Sequence, residues 1–249
     1  MKARQYAFFV AAMLAFEWTA AADITVVSTV GVKGILERVR EDFEHRSAHR
    51  LNIKYGTSAA LKRQLDDGES FDIVILTPPM IDDLGKQGKV VGATSTTVAK
   101  TGIGVAVKAG TAKPNIGTRD ALRSALLASS GIAYTKEGQS GATIARMFEL
   151  LGITEEMKDR TYLDLRPAGG LLAVAEGKAA MAFALLSEIA ANAEVDLVGP
   201  LPGDLQTNVV FAVGMASGTK EPEACRTFIA FLGTPEVRSE LRNMGMESQ

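Results

Sequence analysis

Four short segments place hydroxyl and glycine residues where a strand-like run gives way to a helical one. They are Ser28-Thr29-Val30-Gly31, Gly56-Thr57-Ser58-Ala59, Gln139-Ser140-Gly141 and Ala168-Gly169-Gly170. A helix start exposes N–H groups that lack a partner within the helix, together with a partial positive potential, so neutral donors can hold an oxyanion there. Small residues permit close approach, and Ser or Thr hydroxyls add donors without a bulky cation. Ser and Thr are also the preferred N-caps of any helix, so each segment taken alone reads as a plain cap. Four of them, two in each half of the chain, point to an anion site on the condition that they converge.

Other chemistries fit the residues less well. His45 and His49 are four apart, but Arg46 and Arg50 accompany them and no carboxylate or Cys pattern completes a metal set, so the stretch reads as a solvated helix end. Cys225 shares a helical face with Phe228 and Ile229 and reads as a core thiol, unable to form an internal disulfide as the lone cysteine. Asp66-Asp67 and Asp82-Asp83 are adjacent in sequence, point in different directions and read as surface charge. Gly102-x-Gly104 lacks the rest of a dinucleotide fingerprint. No catalytic residue, metal ligand or cofactor site is assigned.

Elements that alternate between β-rich runs and amphipathic stretches must position these segments, which implies βα units and largely parallel sheets. Ile24–Ser28 is the first strand; Val32, Ile35, Leu36, Val39 and Phe43 then recur at the spacing of one buried helical face. Leu51–Tyr55 and Phe71–Leu76 follow as strands around a short helix at Ala59–Leu65, and Pro78-Pro79 breaks the chain before a helix near Ile81–Gly85. Gly92–Thr97 reads as a polar link and Gly102–Val107 as a strand crossing to a second unit. That unit repeats the logic with Ile132–Thr135, a helix over Ser140–Leu151, Tyr162–Leu165, a helix over Gly170–Glu176, and Met181–Leu186. Asp196–Val198 and Val209–Met215 are further strands, and Pro222 and Pro235 open two final helices ending near Leu232 and Asn243.

The composition is that of a folded soluble chain: 249 residues, 47% hydrophobic, with 27 Lys+Arg against 29 Asp+Glu and a net charge of −2. That balance offers no basic stripe for nucleic acid. Lys2 and Arg4, the uncharged run Tyr6–Phe16 and small residues up to Ala22 make the three parts of a secretory signal peptide, cut near Ala22. The apolar run is too short to span a bilayer. The domain expectation is residues 1–22 as signal, 23–104 with 201–249 as one lobe, and 105–200 as the other.

Read together, the Ser28-Thr29 helix start, Tyr55-Gly56-Thr57-Ser58-Ala59, Asp72–Leu76, Gly102–Val107, Val198-Gly199-Pro200-Leu201-Pro202 and the ending Phe228–Glu236 resemble the molybdate-binding-protein-like periplasmic solute receptors of ABC importers. The resemblance covers nearly the whole chain after the signal. It implies a type II periplasmic binding fold: two α/β lobes, each a sheet flanked by helices, with a ligand closed between them. It also implies oxyanion contacts at Ser28 or Thr29, at Ser58, at Ser140 and along Pro167 to Gly169, which are the same helix starts; Thr57 and Gly141 belong to these starts. Arg166 precedes the last of these, and two readings stand for it: a bidentate partner for carboxylate or phosphate, or a surface charge. The family often has a tyrosine where this chain has Leu185, which leaves the ligand open between an oxometalate and an organic acid anion. The expectation is a monomeric, non-enzymatic periplasmic protein that presents a small anion to an inner-membrane ABC permease, with a ligand-sensing partner of a membrane receptor as alternative and a hydrolytic enzyme on the same fold as a lesser one.

Overall fold

The computed structural model describes residues 21–138 and 140–248, so the charged and apolar parts of the expected signal, residues 1–20, lie outside the described residues. In chain order the elements are strand β1 (Asp23–Thr29), helix α1 (Lys33–Ser47), β2 (Arg50–Gly56), α2 (Ser58–Asp66), β3 (Ile73–Leu76), α3 (Pro78–Lys86), β4 (Thr96–Thr101), β5 (Ile103–Lys108), α4 (Arg119–Ala128) and β6 (Ile132–Thr135). They continue as α5 (Gly141–Leu151), α6 (Thr154–Lys158), β7 (Thr161–Asp164), α7 (Gly169–Ala175), β8 (Met181–Leu185), α8 (Leu186–Ala190), β9 (Val195–Pro200), β10 (Val209–Met215), α9 (Pro222–Leu232), α10 (Pro235–Asn243) and β11 (Met246–Glu247). No helix among the described residues is long and apolar enough to cross a membrane.

The strands form two sheets, ordered β11-β4-β10-β3-β1-β2 and β7-β6-β8-β5-β9. Both are mixed rather than largely parallel. β1 runs parallel to β2 and β3, and β6 to β7 and β8, as βα units require. The antiparallel pairs all involve β4, β10, β11, β5 or β9, most of them segments next to the passages between sheets, where the chain reverses direction.

Period-two alternation decides which side of the first sheet each residue serves. Val26, Ile73 and Ile75 join the core beneath α1 and α9, whereas their chain neighbours Val27, Val74 and Leu76 pack with Leu61, Leu65, Ile81 and Leu84 of α2 and α3. Phe43 anchors the first core, its ring 5.0 Å from that of Phe228 and edge-on to it, and Cys225 is buried there as a free thiol. Full burial of such a phenylalanine stabilises by roughly 1.5–3 kcal/mol.

Three local expectations are corrected. Pro78 and Pro79 do not precede α3 but form its first turn after Thr77, where a missing N–H costs nothing. The polar stretch ending at Thr97 runs into strand β4, whose pairing with β10 outweighs its polar composition. His49 is not solvated: Ala48 turns left-handed at φ 59°, which ends α1 and swings His49 inward, where its Nδ1 accepts the Ala22 N–H at 3.2 Å. His45 is exposed.

The chain passes between the sheets twice, from β4 to β5 and from β9 to β10. Gln206, on the second passage, reaches across to the first. Its Oε1 accepts the Ile103 N–H and its Nε2 donates to the Ile103 carbonyl, each at 2.8 Å. Gly102 must lack a side chain beside it, because a Cβ there would lie 2.9 Å from Nε2.

Candidate functional site

All four helix starts send at least one residue to a single place between the two sheets. Thr29 at the end of β1, Thr57 and Ser58 at the start of α2, Ser140 before α5 and Ala168 before α7 line one small cavity, together with Val30, Thr135, Gly138, Leu185 and Glu188. Its volume is about 20 Å³, little more than one water-sized sphere occupies. The halves are shut on one another. The Ser187 hydroxyl donates to the Gly31 carbonyl at 2.7 Å, and Arg63 on α2 bridges at 2.8 Å to Glu137 in the loop after β6. A Cβ on Gly31 would meet Phe211 at 2.5 Å and Leu185 at 2.8 Å, so glycine is what allows this closeness.

The hydroxyls are set up as donors. Thr29 Oγ1 accepts the Gly31 N–H, Thr57 Oγ1 the Ala60 N–H at 3.3 Å, and Thr135 Oγ1 the Gly170 N–H at 3.4 Å. A hydroxyl with a lone pair engaged in this way keeps its proton to give. Ser140 is buried and its side chain makes no cap bond to α5. Ser58 Oγ is buried without any hydrogen-bond partner among the described residues, which costs about 1–3 kcal/mol unless something else satisfies it. Among the described residues no Lys or Arg lines the cavity. The arrangement can therefore hold a small anion by hydroxyls and by the N-terminal end of α2.

One lining group runs against that charge. The Glu188 carboxyl, in the first turn of α8, accepts the Leu185 N–H at 3.3 Å and stands half-buried between this cavity and an outer groove, and desolvation pushes its pKa up to about 7.

The other expected site residues lie elsewhere. Ser28 is fully buried and donates to the Thr29 carbonyl at 3.2 Å. Gly141 opens α5 and Gly169 opens α7 behind the lining, the latter with its missing Cβ position 2.5 Å from the Asp164 side chain. Pro167 lines a larger outer groove of about 670 Å³ that also touches Glu188, Ala168 and Val30. Arg166 takes the surface reading: its guanidinium pairs with Asp164 at 2.7 Å and Glu176 at 2.8 Å, a carboxylate pair that raises its pKa and holds theirs down. Sequence reasoning passed over Thr135 and Glu188. Thr135 ends a strand already read as such, and a Thr at a strand's carboxyl end was a usable signal. Glu188 carries no such signal, because its sequence context resembles any acid in a first helical turn.

The family described as bacterial extracellular solute-binding protein matches residues 24–247. An aconitate isomerase from Pseudomonas sp is 26% identical over 231 residues, 90% of this chain and 87% of that protein. Among solved structures, the periplasmic molybdate-binding protein of Azotobacter vinelandii superposes with a TM-score of 0.77 at 18% identity, over 91% of this chain and 99% of that one. The sulfate-binding protein SubI from Mycobacterium tuberculosis gives 0.70 at 18% identity, over 91% and 87%. These likenesses are to the two-lobed fold of periplasmic binding proteins.

Proposed function

Because the chain belongs to the bacterial extracellular solute-binding proteins, we propose that it is an exported, monomeric periplasmic receptor, cut near Ala22, that closes on a small oxyanion of the molybdate or tungstate kind and delivers it to an ABC permease in the inner membrane. The observation that carries this reading is the Ser58 hydroxyl, buried and unpartnered in a cavity of hydroxyls without a cation. Residues 23–104 with 201–249 act as one lobe and 105–200 as the other, and closure is a population shift: the open form binds through one lobe and contacts from the second favour the shut form. Thr29, Thr57 and Ser58 contribute from the first lobe, Thr135 and Ser140 from the second.

A second reading, an organic acid anion, is favoured by two observations. Leu185 brings an apolar surface to the cavity where an oxometalate receptor often has a hydroxyl, and the relative that is 26% identical bears the name of an enzyme acting on aconitate, a tricarboxylate. In either reading the chain binds its anion and releases it unchanged.

The test is a thermal-shift panel of molybdate, tungstate, sulfate, phosphate and small carboxylates including aconitate. An anion at about 100 times its dissociation constant raises stability by roughly 2.7 kcal/mol. A shift with carboxylates alone replaces the oxyanion reading with the second one. Aconitate recovered as a different isomer replaces the receptor with an enzyme, and a pull-down that finds a signalling receptor instead of a permease replaces transport with sensing.

A further inference from the structure

An anion cavity without a cation should not also hold an ionised carboxylate, yet Glu188 lines this one. Two negative charges that share such a cavity repel strongly in its low dielectric. The surroundings supply no compensation. On α1, Lys33, Glu37 and Arg38 share the outer groove with Glu188 but are engaged elsewhere: Lys33 lies over the Tyr55 ring, 5.5 Å from its centroid, Glu37 accepts the Tyr55 hydroxyl, and Arg38 bridges to Glu240. After α8, Glu194 faces the outer groove, and on β9 Asp196 accepts the Gly110 N–H. Lys108 is exposed at the far end of β5, while β8 and the turn Val30–Val32 carry no titratable residue. Across the cavity, Arg63 is engaged by Glu137 and Arg166 by Asp164 and Glu176, Lys136 is exposed, and Tyr134 on β6 is held neutral by burial. Among the described residues no ion pair reaches Glu188, and its one protein bond is the Leu185 N–H on Oε2.

We propose that Glu188 carries a proton in the closed complex and shares it with the bound anion, so that the cleft takes up a proton along with a fully ionised ligand. The inference rests on this cavity being the anion site and deepens that reading. A neutral carboxyl in this place becomes one more donor beside the hydroxyls of Ser58 and Ser140, and the carboxyl's free oxygen is the atom that turns from repulsive to attractive. The ligand class follows: small dianions, or anions that bring a proton of their own, which would bind without drawing one from solution.

The experiment is isothermal titration of the full chain with molybdate, sulfate and aconitate at pH 6 to 9, in buffers of different ionisation enthalpy. We expect uptake approaching one proton per ligand at pH 8, and affinity that weakens about tenfold per pH unit above neutrality. In Glu188→Gln, which keeps a donor but cannot ionise, both effects vanish. Binding without proton uptake, or the same pH slope in Glu188→Gln, overturns the proposal. The free chain provides an independent reading, a carbon-13 titration of labelled glutamate carboxyls with Glu188 assigned through the variant. A Glu188 carboxyl that titrates like the exposed glutamates in both the free and the anion-saturated chain overturns the proposal. If none of them binds while Glu188 titrates near neutrality, it is the anion reading of the cleft that fails.

Discussion

Ser58→Ala separates the two ways of explaining a serine at the start of α2. Were the hydroxyl a structural bond, its loss would destabilise the free protein. Here Ser58 Oγ has no partner among the described residues, and enclosing an unsatisfied hydroxyl costs about 1–3 kcal/mol. Opening the cleft wets the hydroxyl and relieves part of that cost, so the gain in the free protein should fall between zero and about 1 kcal/mol, or up to roughly 2–4 °C in Tm for a chain of this size. Binding moves the other way. A hydrogen bond to a charged ligand contributes about 1.5–3 kcal/mol, so affinity should fall about 10- to 150-fold. The neighbouring substitution is the control: Thr57 Oγ1 caps α2 through the Ala60 N–H, and Thr57→Ala should lower stability by about 1 kcal/mol. Melting curves of the two free variants beside wild type, followed by titration with whichever anion of the panel binds, give all four quantities. A fall in Tm for Ser58→Ala comparable to that for Thr57→Ala would refute the reasoning, since the hydroxyl would then be bonded within the protein.

Further outcomes follow from the same geometry. Arg63→Ala removes the exposed bridge to Glu137 across the cleft and should weaken anion binding by about 1.4- to 5-fold, an effect that fades in high salt, as titrations at two ionic strengths will show. Gly31→Ala puts a methyl group against Phe211 and Leu185; overpacking of about 1–3 kcal/mol should favour the open form, visible as a larger radius of gyration with saturating anion than wild type shows. Arg166→Ala should lower Tm through Asp164 and leave affinity within twofold, because the guanidinium does not line the cavity. Burial raises the Glu188 pKa from 4.5 to about 7, so the folded chain binds the extra proton between those values. Its contribution is fully present below about 4.5 and is lost as pH rises through 7, at most about 3 kcal/mol on a closed cleft. Denaturant melts of the free protein against pH should show that descent, and Glu188→Gln should flatten it.

Much of the fold could be read because its elements carry their own periodicity. The five apolar positions from Val32 to Phe43 specify α1, and the prolines at 222 and 235 mark the first turns of α9 and α10. What escaped depends on partners. The Thr96–Thr101 sequence is polar enough to pass for a link until β10 pairs with it, and the antiparallel sense of β5 follows from where the chain crosses rather than from its composition. The helix Arg119–Ala128 was legible and overlooked: Thr118 caps it and Leu122 and Leu126 share a face. The site divides in the same way. Thr29, Thr57, Ser58 and Ser140 announce themselves as helix starts, whereas nothing local marks Glu188 as a group that tertiary packing turns into the cavity.

The amide of Gln206 has a mechanical consequence. By accepting from and donating to the Ile103 backbone, it fastens the second passage between the sheets to the first, so that neither strand can swing alone. Two pivots clamped together define one axis of rotation and suppress twisting about the others. A partner that touches both lobes would then meet only two faces of this molecule, one shut and one ajar, with the amide as the pin between them.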